Sequence, residues 1–169
     1  MNRLLRAEFR RLATTRLWQW GLLAAVACGG GVAALSALVG PQHFDPPMPG
    51  LETAEGVRNV LGLIGITVIV PALLGTVTIC GEYRHGTITT TFGFVPRRWQ
   101  VLAAKLLGYA AAGGGYGVVL ATSAGLGLYG GTALTGTTVG LPFGTVASLL
   151  ARIAVAMAVY TVLGVAVGA

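Results

Sequence analysis

Apolar residues run in four long blocks, residues 17–39, 59–80, 101–129 and 153–169, each carrying few charges or none. A hydrocarbon core roughly 30 Å thick takes about 20 residues of helix at 1.5 Å per residue. Each block is therefore predicted to be a membrane span or close to one. The expected fold is all-α, a polytopic membrane helical bundle with four spans, forming a single transmembrane domain over residues 1–169. Ahead of the first block, Leu5, Phe9 and Leu12 recur at i, i+4 and i+7 with arginines on most of the remaining face. That spacing predicts an amphipathic helix over residues 1–16, lying along the membrane interface. A charge cluster that only sets topology would need no such spacing. The first block is too long for the apolar region of a cleaved signal peptide, which spans about 7 to 15 residues.

Details within the blocks refine this picture. Trp18 and Trp20 stand where indole rings prefer the headgroup level. Gly29-Gly30-Gly31 lowers helix propensity in the first span but permits close backbone contact. Pro71 removes a hydrogen bond to the Thr67 carbonyl and predicts a kink in the second span, for packing or for gating. In the third span Gly113, Gly117, Ala121 and Gly125 recur every four residues and predict a helix-packing face, within the bundle or between subunits. The proline-rich stretch from Pro41 to Gly50 excludes a regular element, and residues 51–58 are expected to form a short surface helix leading into the second span. Residues 130–140 read as a flexible loop. Residues 147–152 are expected to lie along the interface, with Arg152 opening the last span, because an arginine at the bilayer centre costs roughly 2.5 to 3.5 kcal/mol. An arginine buried on a pathway is the sharper alternative.

Composition agrees: 54% of residues are apolar, 9% are charged and the mean hydropathy is +0.78, far from the usual soluble range. The net charge of +6 is divided among loops rather than gathered on one face, which argues against nucleic acid as a partner and leaves membrane lipids. Residues 1–16 hold five arginines against Glu8, and residues 81–105 hold Arg84, Arg97, Arg98 and Lys105 against Glu82. Residues 40–58 hold Asp45, Glu52 and Glu55 against Arg58. Lys and Arg collect in cytoplasmic loops, so the amino terminus and residues 81–105 are expected inside and the acidic loop outside. Ten arginines to one lysine, with abundant Gly, Ala and Val, point to a bacterium and hence to its plasma (inner) membrane. The last block ends at Ala169 without a polar anchor, and a longer parent chain is expected.

Several chemistries lack their residues. The phosphate cradle G-x-x-x-x-G-K-[ST] is missing, and Lys105, the sole lysine, follows no such glycines. All five acids fall in loops or at span ends, so ion coupling by paired intramembrane carboxylates is not expected. His43 and Asp45 lack a third ligand for a metal site. No Ser, His and acid set is arranged for nucleophilic chemistry. Cys28 and Cys80 fall at different depths, too far apart for a disulfide. The chain is not expected to be an enzyme.

One polar stretch remains, residues 81–105 between the second and third blocks. Gly86, Gly93 and Pro96 bound a helix of about two turns that Thr87 could cap. Ile88, Thr90, Phe92 and Phe94 alternate as a strand would, but a lone strand leaves its edges unpaired. Gly81-Glu82-Tyr83-Arg84-His85-Gly86-Thr87-Ile88, followed by Pro96-Arg97-Arg98 and Ala103-Ala104-Lys105-Leu106-Leu107, resembles the permease subunits of type-2 ATP-binding-cassette (ABC) transporters. Residues 4–16 are similar to the amino-terminal helix of those subunits. The resemblance implies an α-helical subunit of about six spans whose loop after the second span, here residues 81–100, is a coupling helix docked on a cytoplasmic ATP-binding subunit. It implies Glu82, Tyr83, Arg84, His85, Gly86, Thr87, Ile88 and Thr91 as the ATPase-coupling interface. Two permeases and two ATPases normally make one exporter, with ATP used by the partner and no cofactor bound by this chain. Having only four spans, the chain departs from that pattern. The rival reading is a small structural or anchoring multi-pass membrane protein that moves no substrate. An intramembrane enzyme lacks candidate catalytic residues.

Overall fold

In hydrocarbon every backbone N–H and C=O must be satisfied within the protein, and long apolar runs without alternation do this as helices. The computed structural model describes residues 16–84 and 98–168. Its elements are α1 (Arg16–Val26), a π turn (Ala27–Gly31), α2 (Val32–Val39), a 3-10 turn (Pro41–His43), α3 (Ala54–Gly65), a second 3-10 turn (Ile66–Val68), α4 (Ile69–Arg84), α5 (Arg98–Thr135) and α6 (Phe143–Gly168). Among the described residues the fold is all-helical. Four stretches of the described residues are long and apolar enough to cross a bilayer: Gln19–Val39, Ala54–Cys80, Leu106–Thr135 and Phe143–Gly168. The chain is a multi-pass membrane protein by this measure. One end of the bundle carries the connections after Val39 and Thr135 and is called the Pro41 end; the other is called the Arg84 end.

The first span packs along the third, the third along the fourth, and the fourth along the second. α3 also meets α2 near the Pro41 end. There α3 is the best-covered helix: Val57 and Ile64 are wholly buried, and Val60 and Leu61 nearly so, in one cluster with Ala33, Leu120, Leu128 and Val146. Thr53 starts α3 in a capped turn. Its Oγ1 accepts the Gly56 N–H at 3.0 Å and donates to the Gly50 carbonyl at 2.8 Å. Gly56 is required in this turn, because a Cβ there would overlap the Pro49 and Gly50 carbonyl oxygens. Thr53→Ala is expected to cost about 1 kcal/mol, read as a lower unfolding midpoint in detergent, with Thr53→Ser restoring most of it.

Three sequence expectations change. Residues 51–58 form no separate surface helix: α3 begins at Ala54 and carries directly into the second span, with Val57 buried. The reason is that Gly140 donates to the Leu51 carbonyl at 2.8 Å, which pins this loop onto the connection between α5 and α6 and draws the helix start inward. The expected flexible loop over 130–140 is helical as far as Thr135. Gly131 lies against Ala37, the Thr132 hydroxyl donates to the Leu128 carbonyl at 2.9 Å, and Gly136 at φ +69° ends the helix, with the Thr137 N–H on the Thr132 carbonyl at 3.1 Å. That is a left-handed glycine stop. Residues 147–152 are not a separate segment but part of α6, continuous with the last span, and Arg152 is exposed on that helix. The expected amphipathic helix over residues 1–16 falls outside the described residues save for Arg16.

The spans pack by bringing backbones together. Gly117 sits so close to Ala154 that a Cβ would lie 2.6 Å from its Cα, and Gly75 would meet the Thr161 carbonyl oxygen at 2.6 Å. The buried Ser and Thr hydroxyls are satisfied locally: Thr161 donates to the Met157 carbonyl at 2.6 Å and Ser36 to that of Val32 at 2.8 Å. Thr76 bonds its own Ala72 carbonyl at 3.1 Å and the Gly164 carbonyl of α6 at 2.9 Å, a polar tie between spans. In a medium without water an unpaired hydroxyl costs several kcal/mol, so these bonds are a condition of burial.

Candidate functional site

The polar stretch joins two fastened helices. On one side α4 ends at Arg84, so the backbone of Glu82, Tyr83 and Arg84 occupies its last turn. On the other, α5 starts at Arg98 and runs for 38 residues, about 57 Å. His85, Gly86, Thr87, Ile88 and Thr91 lie outside the described residues, as does any helix or strand between Gly86 and Pro96. What the structure supplies is their mounting. α4 is bound to α6 through Gly75, Gly164 and Gly168, each with α4 or α6 backbone where a Cβ would stand. α5 is bound to the same α6 through Gly113, which faces Thr161 and Met157, and through Gly117, which faces Ala154. Both helices that carry the stretch are thus keyed to one neighbour.

The four small residues singled out in the third span divide into two pairs. Gly113 and Gly117 are buried against α6, whereas Ala121 and Gly125 are only partly covered. At Gly125 an added Cβ would make ordinary contact with Leu150 at 3.7 Å. Towards the Pro41 end α5 and α6 diverge and leave a groove of about 630 Å³ lined by Ala121, Gly125, Leu126, Tyr129, Phe143 and Leu150. The Tyr129 and Phe143 rings lie 5.7 Å apart within it, and the buried Tyr129 hydroxyl has no hydrogen-bond partner.

A second row of small residues escaped the sequence reading. Gly21, Ala25, Gly29, Ala33 and Ala37 follow one another at intervals of four and all are buried. Gly21 lies against the Tyr116 ring, Gly29 against Leu120, and Ala37 against Gly131. On an uninterrupted α-helix four such steps would wind the row about 160° around the axis. The π turn at Ala27–Gly31 holds an extra residue per hydrogen-bonded ring, which turns the row back toward α5. The signal that could have found it is the interval of four, the same one that marked the third span.

Mid-bundle, the π turn faces the break in the second span. The second span changes to a 3-10 turn at Ile66–Val68 just before Pro71, which offers no N–H to the Thr67 carbonyl, and the Thr67 hydroxyl bonds the Ile64 carbonyl at 2.6 Å. Cys28 and Thr67, one from each break, line a cavity of about 20 Å³ together with Ala24, Pro71, Leu120 and Met157. One water would fit by volume, but a water needs two to four polar partners and these walls are apolar. The void is a packing gap rather than a ligand cage.

Other chemical groups are dispersed. Cys28 and Cys80 are both free thiols, and His43 and Asp45 are exposed. Among the described residues no three His, Cys, Asp or Glu side chains gather as metal ligands. Comparison with protein families, curated proteins and solved structures finds no match for this chain.

Proposed function

We propose that the chain is a membrane-spanning permease subunit of an ATP-driven ABC exporter, set in a bacterial plasma membrane with its amino terminus in the cytoplasm. Residues 81–100 act as the coupling helix on which a separate ATP-binding subunit docks, and a second permease subunit completes the pathway. The supporting observation is the mounting of that stretch: the helices on either side of it, α4 and α5, are each keyed by glycines to α6. A push delivered to the loop moves a three-helix body instead of bending one helix, which is how a partner's closure becomes a rigid-body movement of spans. The motif resemblance of residues 81–107 and of residues 4–16 supplies the identity of the partner.

The test is co-purification of the full-length protein from its native membrane, followed by assay of the eluate for ATP hydrolysis. An ATP-hydrolysing subunit is expected to elute with it, and its recovery is expected to fall at least about tenfold when Arg84 and Thr87 are both replaced by Ala, the permease remaining folded in the membrane. Absence of any ATPase, or recovery that the double substitution leaves unchanged, sinks the reading; the former result favours the anchoring protein.

A further inference from the structure

We propose that α1 is a hinged arm that swings about the π turn at Ala27–Gly31 and so opens and closes a crevice between itself and α4. The inference goes beyond the transport reading and does not depend on it.

The first observation is where the helices break. Spans one and two are interrupted, spans three and four are not, and the two interruptions line the same cavity through Cys28 and Thr67. A π turn and a mid-helix 3-10 turn are each the sort of local departure at which helices bend. Coincidence at one depth gives two facing halves a common pivot. Gly29-Gly30-Gly31 places the least constrained backbone in the pivot itself.

The second observation is how unequally the half-spans are held. The π turn is pressed onto α5, since a Cβ at Gly29 would lie 2.6 Å from the Leu120 carbonyl oxygen and one at Gly30 3.2 Å from that of Ser123. α2 is held by Gly127 and Gly131 of α5. α4 is held to α6 by Gly75, Gly164, Gly168 and the Thr76 hydrogen bond. Below the pivot, α1 meets α5 at Gly21 through the Tyr116 side chain, whereas Gly29 and Gly30 of the π turn, and Gly127 of α5 against Gly30 and Ala34, meet backbone. Trp20, Leu23 and Val26 face outward at 69%, 61% and 47% exposure.

The third observation is the lining. Ala24 and Ala25 on the arm face Val70, Pro71 and Leu74 across the gap. Apolar walls surrounded by lipid exchange one hydrocarbon contact for another when they part, so no hydrophobic term opposes the movement. From Cys28 to Trp20 the arm is about 12 Å long, and a bend of about 20° moves its end by about 4 Å.

Spin-label distance measurements on the chain in liposomes test this, with Cys28 and Cys80 replaced by Ala. Labels at Trp20→Cys and Leu73→Cys straddle the crevice; labels at Leu35→Cys and Leu63→Cys straddle the fastened half near the Pro41 end. The first pair is expected to show two distances, or one distribution wider by about 4 Å, and the second pair a single narrow one. Ala24→Leu, which fills the crevice, is expected to collapse the first pair onto its longer distance while leaving the second unchanged. Ala24→Val replaces it if the larger side chain broadens the second pair. Equal widths for the two pairs, narrow or broad, overturn the hinge, as does a wide first pair that the filled crevice does not narrow.

Discussion

Gly164→Ala destabilises the bundle by about 1–3 kcal/mol, whereas Gly62→Ala and Gly114→Ala leave it unchanged or stabilise it by up to about 1 kcal/mol. All three replace glycine by a better helix former in the interior of a helix, so propensity alone gives them the same sign. The difference is in what the new methyl group meets. At Gly164 it would overlap the Ala72 carbonyl oxygen of α4, a backbone atom that moves only if two spans separate. At Gly62 nothing lies within 4 Å, and at Gly114 the nearest atom is the Ala158 Cβ at 3.8 Å. Separating α4 from α6 also stretches the Thr76 to Gly164 hydrogen bond, now 2.9 Å, which leaves a hydroxyl short of its second acceptor. Unfolding midpoints of the three variants in detergent or bicelles check the prediction. Equal shifts for Gly164→Ala and Gly62→Ala would show that the α4 to α6 approach contributes nothing to stability.

Ile64→Ala is expected to cost about 2–5 kcal/mol, and Ile69→Ala, five residues further along the same span, less than about 0.5 kcal/mol. Ile64 is 0% exposed and Ile69 is 59% exposed. Removing the Ile64 side chain leaves a void in the buried cluster that it shares with residues of α2, α5 and α6. Removing that of Ile69 exchanges a side chain facing lipid for lipid. The comparison is sharp because the surroundings on the outward face are themselves hydrocarbon: in a bilayer, transfer from water contributes nothing between spans, and the cost of Ile64→Ala reports packing alone. Similar losses at both sites would mean that Ile69 is covered, by another chain or by a different arrangement of spans.

These two predictions mark where the sequence stops being informative. The count of spans is carried by the length of each apolar block, because the bilayer sets the number of residues a crossing needs. The helical state follows from the same constraint, since backbone groups without water must bond within their own segment. Element ends were less legible. Gly136 stops α5 six residues past the block boundary expected at residue 129, since the Thr132 hydroxyl and the contact of Gly131 with Ala37 keep the last turns helical. Inward-facing residues were the least legible of all. In a soluble helix, polar residues mark the outer face; here both faces are apolar, and Ile64 and Ile69 look alike on paper. Only the small residues betray a contact, and then only as an interval of four. That interval marked Gly113, Gly117, Ala121 and Gly125 but did not tell that α6 covers the first two and diverges from the others.

The candidate site divides along the same line. Its residue types, from Glu82 to Thr91, are a matter of sequence, and most of them lie outside the described residues. Its mounting is a matter of tertiary structure. Nothing in the order of residues says that α4 and α5 share α6 as a neighbour, because that depends on Gly75, Gly117 and Gly164, one on each of the three helices, meeting the backbone of a neighbouring helix. The π turn is decided in the same way. The sequence places three glycines in the first span; only the fit of Gly21, Ala25, Gly29, Ala33 and Ala37 to α5 fixes where the helix must change its winding. What the sequence by itself determined is therefore the solvent, the number of crossings and their helical form, all set by composition and length against the thickness of a bilayer. The tertiary structure alone decided which faces meet, where two of the spans break and where the gaps lie. Contact between helices in hydrocarbon is governed by shape, and shape belongs to pairs of helices rather than to either one.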